Sequence, residues 1–440
     1  MSQNLLLKEI QNQYDITEDN VHSVGYGRKY KNGVDTGELA IVYSVDKKIP
    51  KDQLPPDQIL PDSLIIDGKK YYTDIVEAKR IKPLASCWNY GFNNGSVDGT
   101  NVLPHRQIQR PLQGGIFITN VLGTYNSSAQ TVGLGTFGLI CVDKDTNTLV
   151  GLTNIHVPTP DQFNAVERTS TNSAHVRNVL QTGTFTSASD GSQVQIPDCI
   201  QQFSESDFLL TNIINLLPGY EIGRIKKYQP LRSTGNGTNY IDSLVFTLIA
   251  SKVSNSVSFK QLGQSFSSAL PWATTAELND LLVSNPYLYS SGRTTGRKGD
   301  TCKLRIISTN NTTSLLYVRQ GVSVQATMSD VFTFGWENPS LLSPVYGGDS
   351  GSAIIAVING TPKIIGLIFA GDGAENQEAT IGVGCRIDRI ASILNLEAWD
   401  GSSKNVDSSA NLDVQYINGL DSAVTKTINN KKYWQVGIST

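Results

Sequence analysis

Ser350 stands in Gly347-Gly348-Asp349-Ser350-Gly351-Ser352, a run that sets one hydroxyl among glycines. A serine that attacks a carbonyl needs its own backbone amide, and that of the residue two before it, aimed at the oxygen on which negative charge develops. Gly348 and Gly351 flank Asp349 and Ser350, where such a turn asks for residues without a β-carbon. The chemistry in view is nucleophilic attack by Ser350, with the amides of Gly348 and Ser350 as candidate oxyanion donors. A serine hydroxyl is a weak nucleophile without a base beside it. The chain has four histidines, His22, His105, His156 and His175, and all of them precede Ser350. That order excludes the Ser, acid, His arrangement of the nucleophile-elbow hydrolases, whose G-x-S-x-G motif is also incomplete here.

Of the four, His156 has the surroundings of a positioned base. The uncharged stretch Leu149-Val150-Gly151-Leu152-Thr153 leads into Asn154-Ile155-His156-Val157, which puts His156 where a buried strand breaks. His22 and His105 lie in polar or Pro-flanked stretches, and His175 follows Thr171-Asn172-Ser173-Ala174, so all three read as solvated surface histidines. The third member should be a carboxylate between His156 and Ser350, beside apolar residues, so that it stays ionised and bonded to the imidazole. Two segments qualify: Asn239-Tyr240-Ile241-Asp242-Ser243-Leu244-Val245 and Ser206-Asp207-Phe208-Leu209-Leu210.

Leu152-Thr153-Asn154-Ile155-His156-Val157 resembles the Thr-(small or Asn)-x-His-(Cys or Val) signature around the base of trypsin-like serine peptidases. Gly348-Asp349-Ser350-Gly351-Ser352 resembles their nucleophile loop, and the order His, Asp, Ser matches as well. The resemblance implies a chymotrypsin-like double barrel in which His156 is the general base. It also favours Asp242 as the acid, because Ile222-Gly223-Arg224-Ile225, a polar loop and Asn239-x-Ile241-Asp242 resemble the Asn-x-Val-Asp-Ala-Ala segment of a bacterial branch of the family. Asp207 stands as the alternative acid. Gly292-Arg293-Thr294-Thr295-Gly296 resembles the same branch; its residue types suit a tight strand connection, with Arg293 lining the substrate cleft as the other reading. The Ile-Val-Gly-Gly N-terminus of activated secreted trypsins has no counterpart, so Asp349 needs a different partner.

The apolar run over 364–371 ends in glycine and reads as a buried strand. In the family the matching strand pairs with the substrate backbone and walls the pocket for the residue before the cleaved bond. By that resemblance Phe369, Ala370 and Gly371 are pocket candidates, with plain core packing as the other reading of Phe369. Pro344-Val345-Tyr346, the other expected wall, brings no Asp or Glu, so an uncharged, apolar or small residue is expected in the pocket.

Composition narrows the classes. A chain of 440 residues with 39% hydrophobic content suffices for two or three packed units. With a net charge of −3 and no long basic run, the footprint of a nucleic-acid binder is missing. No stretch approaches the ~20 apolar residues of a bilayer span, and the start, Met1-Ser2-Gln3-Asn4-Leu5-Leu6-Leu7-Lys8-Glu9, lacks the basic region of a secretory signal. Five cysteines, Cys87, Cys141, Cys199, Cys302 and Cys385, lie far apart without a C-x-x-C pair, and are expected as buried free thiols rather than a zinc site or disulfide frame. Cytoplasmic residence is the expectation, with carriage in a virion as the other setting, and no metal or organic cofactor is implied.

Positioning such a site takes many short strands, and the expected fold class is mainly β: a chymotrypsin-like double six-stranded barrel with a small N-terminal α/β domain and a short C-terminal extension. Residues 1–85 form the α/β unit, with strands at 39–45 and 70–76. Residues 86–112 read as a linker and 113–270 as the first barrel, carrying His156 and Asp242. Residues 271–400 hold an inter-barrel helix opened by the capping box Thr274-Thr275-Ala276-Glu277, then the second barrel with Ser350. A closing helix follows through Ile387, Ile390, Ala391 and Leu394, and 401–440 remain as an extension. The function expected is a serine endopeptidase acting on protein or peptide, with 1–85 or 401–440 as surfaces for a partner protein. The competing reading is a catalytically limited or self-processing peptidase-fold module used for partner binding in a virion or defence system.

Overall fold

The computed structural model describes residues 3–15, 20–31, 34–84, 86–89, 111–119, 131–158, 184–186, 193–195, 199–201, 221–229, 231–235, 237–253, 269–294, 296–298, 304–319, 322–336, 344–373, 379–406, 424–428 and 431–435. The chain is mainly β. Helix α1 (Gln3–Asp15) and strands β1 (Val21–Lys31), β2 (Val34–Val45), β3 (Ser63–Ile66) and β4 (Lys69–Glu77) open it. β1 and β2 form an antiparallel hairpin, β2 runs parallel to β4, and β4 antiparallel to β3. Leu6 and Ile10 of α1 press onto Val24, Ile41, Tyr43 and Tyr71, a small core of their own. Burying each such aliphatic side chain contributes ~1.5–3 kcal/mol, which the polar remainder of α1 does not supply.

After β5 (Lys82–Pro83) and β6 (Ser86–Asn89) come β7 (Ile116–Thr119), β8 (Thr131–Phe137), β9 (Leu139–Asp143) and β10 (Thr148–Thr153). Gly138 bends one long strand into β8 and β9, so that β8 pairs with β7 and β9 with β10. Only glycine fits at that bend, since a β-carbon there would fall 2.4 Å from the Gly351 carbonyl oxygen. β11 (Thr184–Thr186) and β12 (Gln193–Gln195) follow, then β13 (Cys199–Gln201), β14 (Glu221–Tyr228) and β15 (Leu244–Phe246). β7 pairs with β13, β13 with β14, β14 with β15 and β15 with β10. Counting the bent β8/β9 as one strand, six strands close into the first barrel.

Helices α2 (Thr275–Asn279) and α3 (Leu281–Ser284) lead to the second. Thr274 and Glu277 cap α2 reciprocally, as their spacing predicts. The second barrel comprises β16 (Leu288–Gly292), with β17 (Gly296–Lys298) on its edge, β18 (Leu304–Arg319), β19 (Val322–Trp336), β20 (Ala353–Ile358), β21 (Thr361–Gly371) and β22 (Ile381–Arg386). Its pairings run β16, β20, β21, β22, β19, β18 and back to β16, a second closed ring of six. Helix α4 (Ile387–Leu394) buries Ile387, Ile390 and Leu394 at the expected spacing. β23 (Leu396–Ala398) then returns to pair with β9 of the first barrel. β24 (Val424–Ile428) and β25 (Lys431–Gln435) join β12 and β11 in a separate four-stranded sheet.

The N-terminal strands are not set apart from the barrels. β1 pairs antiparallel with β18, from Ser23 opposite Thr313 to Gly27 opposite Ser308, so one twelve-stranded sheet runs through both. The contact is polar and buried, with Ser308, Thr309, Asn310, Asn311, Thr312 and Thr313 all shielded from water. His22 is corrected by the same pairing. Expected on the surface, it lies in β1 at 2% exposure, with Nε2 3.0 Å from the Ala78 carbonyl, and burial lowers its pKa. Its polar neighbours are covered because β1 is flanked by β2 and β18. His105 and His175 lie outside the described residues.

Candidate active site

Where β10 ends, the turn after Thr153 carries Asn154, Ile155 and His156 to the face of the first barrel that meets the second. His156 Nδ1 lies 2.7 Å from Asp242 Oδ2, and Nε2 lies 2.7 Å from Ser350 Oγ. All three residues are buried. A carboxylate can only accept, so Nδ1 carries the ring proton, and Nε2 is left to accept from the Ser350 hydroxyl. The imidazole therefore spans two barrels between residues that lie far apart in the chain.

Asp242 is held on every side. Its Oδ1 accepts the amides of Ile155 at 3.0 Å and His156 at 3.3 Å, while Oδ2 also accepts the Tyr317 hydroxyl at 2.9 Å. The Asn154 side chain donates to the Asp242 carbonyl, and the Asp242 amide donates to Cys385 Sγ at 3.3 Å. Burial first, and the neighbouring Asp242 carboxylate second, push the Tyr317 hydroxyl far above its ordinary range. Tyr317 thus stays protonated and can only donate to Oδ2. The same two causes raise the Cys385 thiol, which stays protonated beneath the site. Asp207, the alternative acid, lies outside the described residues.

The loop around Ser350 is shaped by its backbone. Gly348 and Gly351 both have φ of +94°, in the region that L side chains rarely enter. Space adds a second constraint: a β-carbon on Gly348 would come 2.6 Å from Thr294 Oγ1, and one on Gly351 would come 2.2 Å from the Thr136 carbonyl. Thr136 donates its amide to the Ser350 carbonyl at 2.8 Å and its hydroxyl to the Gly348 carbonyl at 2.8 Å, which ties the loop to the first barrel. Asp349 has its different partner. Its Oδ1 accepts the Thr294 amide at 2.9 Å and its Oδ2 the Tyr346 amide at 3.0 Å.

These bonds give Gly292-Arg293-Thr294 a definite task. Thr294 donates its amide to Asp349 and its hydroxyl to the Gly347 carbonyl at 2.5 Å, and Gly292 leaves the room that Asp349 fills. Arg293 is buried and packs beside Gly348, with its amide donating to the Thr136 hydroxyl at 2.9 Å. Of the pocket candidates, Phe369 has its ring fully buried in the core, and its carbonyl lies 3.5 Å from Ser350 Oγ. Ala370 and Gly371 form the end of β21, and a β-carbon on Gly371 would come 2.9 Å from Val345 Cγ2. The edge of β21 is occupied by β5, with Ala370 opposite Pro83 and Gly371 opposite Lys82.

Sequence reasoning missed Tyr317 and Cys385. Alternation along Leu315-Leu316-Tyr317 offered one signal, since an inward tyrosine needs a partner for its hydroxyl. Cys141 and Cys385 are buried free thiols. Among the described residues no group of His, Cys, Asp and Glu could hold a metal ion, and no helix is long and apolar enough to cross a membrane.

No family model and no curated protein matches the chain. Solved structures do. A Nocardiopsis protease is similar at 14% identity and a TM-score of 0.34, covering 65% of this chain and 97% of its own. Thermobifida fusca protease A is similar at 13% identity and a TM-score of 0.31, with 65% and 97% covered. Cellulomonas bogoriensis chymotrypsin is similar at 11% identity and a TM-score of 0.31, with 64% and 98% covered.

Proposed function

We propose that the protein is a serine endopeptidase with Ser350 as nucleophile, His156 as general base and Asp242 as the acid that orients it. The observation that carries this reading is one imidazole bonded at 2.7 Å to a buried carboxylate and at 2.7 Å to a buried hydroxyl, the latter in a glycine cradle. As Ser350 Oγ bonds to the substrate carbonyl carbon, its proton passes to His156 Nε2, and Asp242 stabilises the imidazolium through Nδ1. The amides of Gly348 and Ser350 hold the oxygen that becomes negative. His156 then gives its Nε2 proton to the departing amine, and water repeats the sequence on the acyl-enzyme. Val345 and Gly371 bring no charge to the pocket walls, so the residue before the cut bond is apolar. A fluorophosphonate should label the wild type and fail to label Ser350→Ala; equal labelling of the variant would overturn the reading.

A further inference from the structure

The segment that enters the cleft belongs to the chain itself. Lys82 and Pro83 pair antiparallel with Gly371 and Ala370, which adds a strand to the free edge of β21. The Leu84 amide donates to the Phe369 carbonyl at 3.1 Å, and the Leu84 carbonyl accepts the Gly348 amide at 3.0 Å. That amide is one of the two assigned to the oxyanion, so the Leu84 carbonyl lies where the reacting carbonyl of a substrate would lie. The side chain agrees with the backbone. Leu84 is buried, and its Cδ2 lies 3.2 Å from where a Gly371 β-carbon would be, against the same wall as Val345. Upstream, the segment leaves a fixed point on the N-terminal unit: Ala78 donates its amide to the Val45 carbonyl at 3.0 Å and Arg80 pairs with Asp46 at 2.5 Å. β1 joins that unit to β18 of the second barrel, so delivery is intramolecular and the reacting groups need no encounter.

We propose that Lys82-Pro83-Leu84 is the acyl-side substrate of this cleft and that the protein cuts its own peptide bond between Leu84 and Ala85. The proposal rests on the serine-peptidase reading above. Ser350 Oγ bonds to the Leu84 carbonyl carbon as its proton moves to His156. The bond from that carbon to the Ala85 nitrogen breaks, and His156 protonates the nitrogen to give a new amino terminus. Water then bonds to the Leu84 carbonyl carbon and gives a proton to His156, which returns it to Ser350 as the ester breaks. One water is consumed, and residues 1–84 end in a free Leu84 carboxylate.

The test is intact-mass and terminal-peptide analysis of the full chain over time, for wild type, Ser350→Ala, Leu84→Asp and Leu84→Met, beside fluorophosphonate labelling of each. Expected are a fragment of residues 1–84 from the wild type at a first-order rate unchanged by dilution, none from Ser350→Ala, and retained cutting in Leu84→Met. Leu84→Asp should slow the cut on the order of 100-fold, since a carboxylate enters an apolar pocket, and should be labelled faster than the wild type because the cleft is vacated. Labelling of wild type or Leu84→Asp without any cut after residue 84 would overturn the self-cleavage and leave the peptidase reading standing. A wild-type rate proportional to concentration would also overturn it, as cutting would then be between molecules. Absence of labelling in every variant would instead sink the peptidase reading itself.

Discussion

The two barrels hold their halves of the site by different means. On the first-barrel side Asp242 is gripped through its side chain, with two backbone amides on Oδ1 and the imidazole and a tyrosine hydroxyl on Oδ2. On the second-barrel side Ser350 is gripped through the backbone, between glycines at φ of +94° and with its carbonyl bonded to the Thr136 amide. One half depends on which side chains are present, the other on their absence. Hydrogen bonds to a charged group contribute ~1.5–3 kcal/mol each, and a forced backbone conformation costs ~1–3 kcal/mol. The energies are comparable, but they act on different things: a change on the first side alters proton handling, and one on the second moves the loop.

The largest effects should come from the residues that touch across the divide. Ser350→Ala and His156→Ala should each lose on the order of 10⁶ in turnover, and the double variant hardly more, because the two act as a unit. Additive losses in a peptide-hydrolysis assay would mean that they do not. Asp242→Asn should lose about 10⁴, since an amide at Oδ2 favours the wrong ring tautomer. Asp207→Asn should stay near the wild-type rate. The reverse ranking in the same assay would move the acid to Asp207.

On the second side the prediction concerns a single methyl group. Gly348→Ala should cost about 10²–10³ in turnover through a displaced oxyanion donor, and it should lower the melting temperature as well. Gly360 separates the two causes. Its φ is +77°, but a β-carbon there meets nothing within 4 Å, so Gly360→Ala carries the strain without the clash. It should lose ~1–2 kcal/mol of stability at full activity. If both variants behaved alike, the crowding by Thr294 would have no part in holding the loop.

Legibility in the sequence follows the same division. The glycines around Ser350 and the strand break before His156 were readable, because turn chemistry and the end of an apolar run are local signals. The partner of Asp349 was not, since Thr294 reaches it from the turn after the neighbouring strand β16, 55 residues away in the chain. A mainly β chain was legible from many short apolar runs between turn residues, while the double barrel came from the resemblance of the His156 and Ser350 segments to trypsin-like peptidases. The seam between β1 and β18 was hidden for a physical reason: Ser308 to Thr313 is a polar run whose groups are satisfied inside the sheet, and composition reads such a run as a loop. Leu84 showed nothing in advance either. A lone leucine after Lys-Pro acquires meaning only when the edge of β21 receives it.

Tyr317 is where the comparison is weakest, and its effect should be the smallest. It belongs to β18 of the second barrel, yet its hydroxyl serves the carboxylate of the first. Removing that hydroxyl in Tyr317→Phe leaves Asp242 with the imidazole and two amides, so the carboxylate keeps three of these four donors but Oδ2 is freer to turn. Loss of one hydrogen bond to a charged group bounds the effect at ~1.5–3 kcal/mol, and the surviving donors take up part of it. A fall of about 10-fold in kcat with KM unchanged is expected, because Tyr317 acts through Asp242 and His156 rather than on substrate. An equal loss appearing in KM would place the hydroxyl on the substrate path. A wild-type kcat would mean that the first-barrel half is complete without help from the second, and that the two halves meet only at the bond between His156 and Ser350.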